Sequence, residues 1–326
     1  MSDSKQPILF AYAFDGSGGG QVVKGKEISR KVKSDTLTWV HMDAAHPETR
    51  VWLQKEVSYL DPLVIEALLA EETRPRFMPY GDGAVIILRA VNVNENSRPE
   101  DMISIRMWVD GKRIISLRLR ALQAVDDMQE RIRTGRGPRN SGDFLTMLAT
   151  KLFERMEPVF AELDRTTDEI EEDVLSEPDT RLRGEIISVR KQAIVFRRYI
   201  APQRDVMGQL RISELEWLDA NHRRQLQENY DRVTRYLEDL DAIHERSEIV
   251  QDELSNALTD KLNKNMYILS VLSAVFLPLG FLTGLFSMNV GGIPGNKIDS
   301  AFWIVSIVTV VIGLLQVYVF RKLKLF

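Results

Sequence analysis

Five carboxylates recur along one stretch of the chain at alternating steps of three and four residues: Glu238, Asp241, Glu245, Glu248 and Asp252. On a helix that spacing sets them in one row. The row continues through Asn256, Thr259, Asn263, Met266, Ser270, Ser273, Leu277, Gly280, Gly284 and Ser287, and Met288 and Asn289 follow directly. Its chemistry changes in order, from carboxylates to amides and hydroxyls and then to small side chains. Carboxylates attract cations, and amide or hydroxyl oxygens accept hydrogen bonds from a hydrated cation without stripping its water. His244, beside Glu245 and Glu248, adds a group that holds a metal or titrates near neutral pH. The acidic part alone also reads as a solvated helix face. The graded continuation through apolar sequence favours a lining, because unsatisfied polar groups are costly in lipid.

The elements that must position this row come next. Residues 209–277 contain no Gly and no Pro, the usual helix punctuation. The stretch is predicted to be one continuous helix, about 100 Å long at 1.5 Å per residue. Residues 267–286 carry no charge, and neither do residues 301–320; each run is long enough to cross a bilayer. A second row on the long helix, Tyr236, Leu240, Ile243, Val250, Leu254, Leu258 and Leu262, is apolar and suits packing on a neighbour. Lys261 and Lys264 precede the first span, and Arg321, Lys322 and Lys324 follow the second, whereas residues 287–300 hold only Lys297 and Asp299. The positive-inside rule then places both termini in the cytoplasm and the short loop outside. Two helices per chain cannot enclose a water-filled path. A pore requires several copies, with the first span inside, where Ser270, Ser273, Ala274, Gly280 and Gly284 permit close approach. The Val- and Ile-rich second span suits lipid.

Composition narrows the class. The 326 residues include no cysteine, which excludes disulfides and thiolate metal sites. A net charge of −4 argues against a nucleic-acid partner. The opening residues are polar through Gln6 and show no signal-peptide pattern. Residues 37–42 and 84–93 read as strands, and 102–109 with 113–119 as a hairpin turned at Asp110-Gly111. Helical stretches begin at Pro47, Pro62 and Leu122, and 135–142 reads as a linker. Residues 144–175 are predicted to form an acidic helix paired with a basic one over 180–199. The resulting division is a cytoplasmic α/β domain (1–142), an antiparallel helical hairpin (143–207) and the cytoplasmic part of a long stalk helix (208–265). Then come a pore-lining membrane helix (266–288), an external loop (289–300), a second membrane helix (301–320) and a basic cytoplasmic tail (321–326).

Other motifs carry less. The run Gly16-Ser17-Gly18-Gly19-Gly20 lacks the Lys-Ser/Thr of a phosphate loop and reads as a surface turn. His41, Asp43 and His46 form a candidate metal set, with a strand end and capping Asp as the other reading. There is no HExxH, GxSxG or dinucleotide fingerprint, and no enzyme is expected. Asn289 closes the first apolar run and precedes Gly291 and Gly292. In an oligomer it would form a ring of amides at the external mouth; Asn and Gly are also common in plain helix C-terminal turns.

At these residues the chain resembles the CorA metal-ion transporter superfamily, and within it the ZntB zinc-transporter branch. The resemblance runs through Glu72-Thr73-Arg74-Pro75-Arg76, residues 197–206, Val275-Phe276-Leu277-Pro278, residues 281–286 and Gly291-Gly292-Ile293-Pro294-Gly295. The family signature is Gly-x-Asn: Met288 and Asn289 match it, and Ser287 stands where the family has Gly. Ile293-Pro294-Gly295 replaces the Met-Pro-Glu of the magnesium branch. The resemblance implies a funnel-shaped homopentamer in the inner membrane, multi-pass, with a pore along the first membrane helix. Its implied cargo is a divalent cation, Zn²⁺ foremost, with room for proton coupling and no cofactor. Its implied partners are further copies of itself, membrane lipid and divalent cations. The alternatives are a Mg²⁺, Co²⁺ or Ni²⁺ channel of the same fold, or a membrane-anchored metal-binding stalk or sensor that moves nothing. Residues 266–287 hold no carboxylate, imidazole or thiolate, so a tight Zn²⁺ site is not expected there and the ion should cross largely hydrated.

Overall fold

The computed structural model describes residues 6–71, 73–288 and 300–322. The chain forms two compact units, Met1–Asp252 and Glu253–Phe326.

The first unit is built on one mixed sheet. Its strands are β1 (Ile8–Phe14), β2 (Gly20–Val22), β3 (Thr38–Asp43), β4 (Arg76–Tyr80), β5 (Gly83–Ala90), β6 (Ile103–Val109) and β7 (Arg113–Arg118). They lie in the order β2-β1-β3-β7-β6-β5-β4, with β3 and β7 parallel and every other pair antiparallel. One face carries Val40, Met42, Val85, Ile87, Ile115 and Leu117 against α1 (Lys26–Val32), α2 (Pro47–Glu56) and α3 (Pro62–Leu69). On the other face Trp39 meets Phe144 of α5 (Ser141–Glu154) edge-on at 4.8 Å. Because both faces are covered, β5 and β6 are buried along nearly their whole length and mostly apolar rather than alternating, with Arg89, Ser104 and Arg106 as the polar exceptions. The hairpin expected at Asp110 is present: its Oδ1 accepts the N–H groups of Lys112 and Arg113, each at 2.9 Å. Strands β1, β2 and β4 and helix α1 had no counterpart in the sequence reading.

The helices depart from expectation in three places. The acidic helix is two, α5 and α6 (Glu157–Ser176), because Pro158 has no N–H to continue the ladder and instead opens α6. Arg155 at the break is clamped by both oxygens of Asp127 on α4 (Gln123–Arg133), at 2.8 Å each. The basic helix, α7 (Leu182–Ile212), runs on through Pro202 rather than stopping at 199. The long helix, α8, starts at Ala220 and ends at Phe286. Upstream, Ser213 turns extended and caps α7, Leu215 and Leu218 are buried, and the Asp219 carboxylate accepts the N–H groups of Asn221 (2.8 Å) and His222 (3.0 Å). A break made by side-chain caps needs neither Gly nor Pro, so their absence did not guarantee continuity. The last helix is α9 (Ala301–Lys322).

The candidate metal set in β3 dissolves. The buried His41 ring stacks on Phe10 and shares a 2.7 Å hydrogen bond through Nδ1 with the Ser116 hydroxyl. That hydroxyl also accepts from Trp39 Nε1 at 2.7 Å, so the His41 ring belongs to a buried structural network rather than a metal site. Asp43 caps Ala45, and His46 caps α2 by accepting from Glu48 N. Among the described residues no group of three or more His, Asp or Glu is placed to hold a metal. Burial, helped by Arg118, pulls the His41 pKa from 6.5 to about 3. Below pH 6.5 the unfolded chain takes up a proton that the folded chain refuses until about pH 3. Stability therefore falls as pH drops through this window, by about 1.4 kcal/mol per pH unit. His41→Gln should flatten that slope in thermal unfolding of the full-length protein between pH 6.5 and 4; an unchanged slope would place the acid sensitivity elsewhere.

Candidate ion-conducting helix

Within the first unit α8 is held by the apolar row the sequence defined. Tyr236, Leu240, Ile243 and Val250 are buried there, and Leu254, just past the boundary at Asp252, is buried as well. Tyr236 donates to Phe153 O at 3.1 Å, and its ring meets Phe160, which in turn meets Phe196. The row ends near Leu254: Leu258 is half-buried and Leu262 is 63% exposed. The opposite face carries Glu238, Glu245, Glu248 and Asp252 exposed and Asp241 half-exposed.

These five carboxylates are not equivalent. Arg197 of α7 binds Asp241, and Arg190 binds Glu248 at 2.5 Å. Glu238, Glu245 and Asp252 make no ion pair among the described residues. The charge pairing expected between α6 and α7 is instead routed through α8. Arg246 reaches Asp164 (3.2 Å), Asp168 (2.5 Å) and Glu171 (2.7 Å) of α6, and Glu171 and Asp168 hold its pKa above the ordinary value. The sequence reading missed Asp239, whose carboxyl is pushed up by partial burial and then by Asp164 and Glu238; it lies one step off the row. His244 is half-buried and has no metal-binding group assembled around it. His222 is structural: its Nε2 lies 3.0 Å from Asp143, and Nδ1 accepts the Asp219 N–H.

In the second unit the rest of the row, Asn256, Thr259, Asn263, Met266, Ser270, Ser273, Leu277, Gly280 and Gly284, is exposed along α8, and Ser287 and Met288 are exposed just beyond its end at Phe286, two residues short of the expected 288. Helices α8 and α9 are both long and apolar enough to cross a membrane. They touch where a Cβ on Gly313 would meet Leu279 at 3.6 Å, whereas Gly280 and Gly284 face open space. Their smallness is thus not demanded by packing within the described chain. The hydroxyls qualify the cost argument made from sequence. Ser270 donates to Met266 O at 2.8 Å, Thr259 to Ser255 O at 2.8 Å and Ser287 to Gly284 O at 3.0 Å. Their protons are satisfied by the helix itself, so the hydroxyls alone do not require water beside them. Asn289, the remainder of the external loop to residue 299, Glu72 and Lys324 lie outside the described residues.

This architecture has known counterparts. The family model for the CorA-like Mg2+ transporter protein matches residues 34–322. The chain belongs to this family. CmaX of Pseudomonas aeruginosa, described as a divalent cation transporter, is 34% identical, and the match covers 99% of this chain and 98% of CmaX. The solved structure of full-length CmaX superposes with a TM-score of 0.82 over 99% of this chain and 100% of that one. The zinc transport protein ZntB of Yersinia enterocolitica is 37% identical, over 90% of this chain and 88% of its own. The fold alone is shared with the CorA magnesium transporter of Methanocaldococcus jannaschii, at 20% identity, a TM-score of 0.78 and 96% and 98% coverage. The CorA-like family membership and the α/β domain, long helix and second apolar helix expected from sequence all stand.

Proposed function

We propose that this CorA-like chain is an inner-membrane transporter of divalent cations with Zn²⁺ as its main cargo. It works as a homo-oligomer, five-fold by family resemblance, with both termini in the cytoplasm. The α8 row from Glu238 to Ser287 faces the shared path, α9 faces lipid, and Asn289 forms the external amide ring. The α/β domain, the α6–α7 hairpin and the lower part of α8 stand on the cytoplasmic side. One observation carries the reading: an exposed helix face that stays polar or small along nearly all its length, with Gly280 and Gly284 open to approach by other copies. Zn²⁺ is favoured by the Ile293-Pro294-Gly295 loop and by the likeness to ZntB. The Mg²⁺ wording of the family keeps magnesium as the second reading.

The activity is movement, not catalysis. Because residues 266–287 hold no titratable carboxylate or imidazole, any proton coupling runs through water or through groups outside the bilayer. The test is metal flux in liposomes containing the purified full-length protein, with Zn²⁺ and Mg²⁺ in turn and with and without a pH gradient. Protein-dependent Zn²⁺ flux exceeding that of Mg²⁺ is the expected result. Mg²⁺ flux alone would shift the cargo to the second reading, and no flux of either ion would leave a metal-binding stalk.

A further inference from the structure

Three arginines without an ion pair among the described residues open onto one cleft of the first unit. Arg74 comes from the segment before β4, Arg120 from the segment after β7 and Arg198 from α7. The cleft encloses about 800 Å³. A fourth arginine, Arg89 of β5, also lines it, donating to Thr73 O and to Met102 O (2.6 Å) with its guanidinium 4.7 Å above the Tyr199 ring. Behind Arg89 stands a fifth. The β5–β6 register pairs Arg89 with Ser104 and Ile87 with Arg106, so Arg89 and Arg106 are diagonal neighbours on one face of the sheet.

Arg106 is fully buried. It donates through Nη2 to Glu71 O at 3.1 Å, while its Nε and Nη1 find no partner among the described residues. Burial and the charge of Arg89 pull its pKa down to about 10. Thr73 Oγ1 and Gln203 Nε2 are also buried without a partner, in two residues already bound to Arg89. Among the described residues three carboxylates share the cleft, but Glu100 and Asp101 lie 3.9 and 3.6 Å from Arg98, leaving Glu71. Among the described residues positive charge is therefore concentrated in this cleft, and desolvating a cation is costly. Three guanidinium groups with no ion pair among the described residues thus line one cleft from separate elements, and each can grip a tetrahedral oxyanion through two N–H groups.

We propose that this cleft binds a small multivalent oxyanion of the phosphate type, gripped by Arg74, Arg120 and Arg198 and stabilised by the field of Arg89 and the buried Arg106. Free phosphate compounds and phospholipid headgroups share this chemistry. The test titrates pyrophosphate into the full-length protein in phosphatidylcholine nanodiscs at constant ionic strength, by calorimetry. Saturable binding is expected, weakened about tenfold by Arg120→Gln or Arg198→Gln and more by the pair. Repeating the titration in nanodiscs containing phosphatidic acid separates the sources. Unchanged pyrophosphate affinity assigns the cleft to soluble phosphates, and competition assigns it to headgroups; both support an oxyanion site. Absence of saturable binding, or equal affinity in the double variant, would overturn the proposal. So would loss of the oligomer in the double variant with no pyrophosphate binding by wild type, which would assign the arginines to a contact between copies.

Discussion

Replacing Glu238, Glu245 and Asp252 by Gln, Gln and Asn lowers divalent-cation flux about tenfold at low salt, the lower end of what electrostatic focusing supplies. These are the carboxylates of the acidic row with no ion-pair partner among the described residues, so their field reaches an approaching ion. Asp241 and Glu248 contribute less, because Arg197 and Arg190 offset them. That difference gives a second arm of opposite sign. Arg190→Gln with Arg197→Gln removes two positive charges and frees two carboxylates, and should raise flux at low salt. Neither arm should unfold the protein, because partly exposed ion pairs of this kind contribute only about 0–1 kcal/mol each. Both differences from wild type should narrow as salt shortens the screening length from about 10 Å at 0.1 M to about 3 Å at 1 M. Flux unchanged at low salt in the triple variant would make the acidic row a solvated face.

How far the sequence anticipated the molecule depends on the kind of signal. The apolar row from Tyr236 to Leu254 was readable because helix periodicity and burial report the same geometry. The β6–β7 hairpin was readable because Asp110-Gly111 marks a turn locally. The start of α8 was not, since the break after Ile212 is made by Ser213 and Asp219 caps and by the burial of Leu215 and Leu218, which depends on tertiary contacts. Strand β1 pairs with the three-residue β2 across the Gly16–Gly20 turn and with β3 further along the chain; the glycine run reads from sequence as a surface turn, and so short a return strand gave it no hairpin pattern. The candidate site divides in the same way. Spacing defines the row, but not which of its carboxylates pair with arginines. That depended on α7 lying beside α8 so that Arg190 and Arg197 reach Glu248 and Asp241, a packing choice no spacing rule encodes. Asp239 was passed over because it sits off the row, although Asp164 of α6 adds to the negative charge around it.

The central claim is that the small and hydroxylated face of α8 meets water inside an assembled transporter. The absence of cysteine from the whole sequence makes this directly measurable. Ser270→Cys and Ser273→Cys place a thiol on the row, and Leu272→Cys places one on a different face of the same turn. All three positions are exposed in the single chain, so exposure there does not decide between water and lipid. A membrane-impermeant cationic methanethiosulfonate reagent reacts with thiolates, which form in water and not in hydrocarbon. In liposomes the account predicts that Ser270→Cys and Ser273→Cys lose most of their Zn²⁺ flux after treatment, through added bulk and charge in the path, while Leu272→Cys and the wild type keep theirs. Full flux in treated Ser270→Cys and Ser273→Cys, or equal loss at Leu272→Cys, would contradict it.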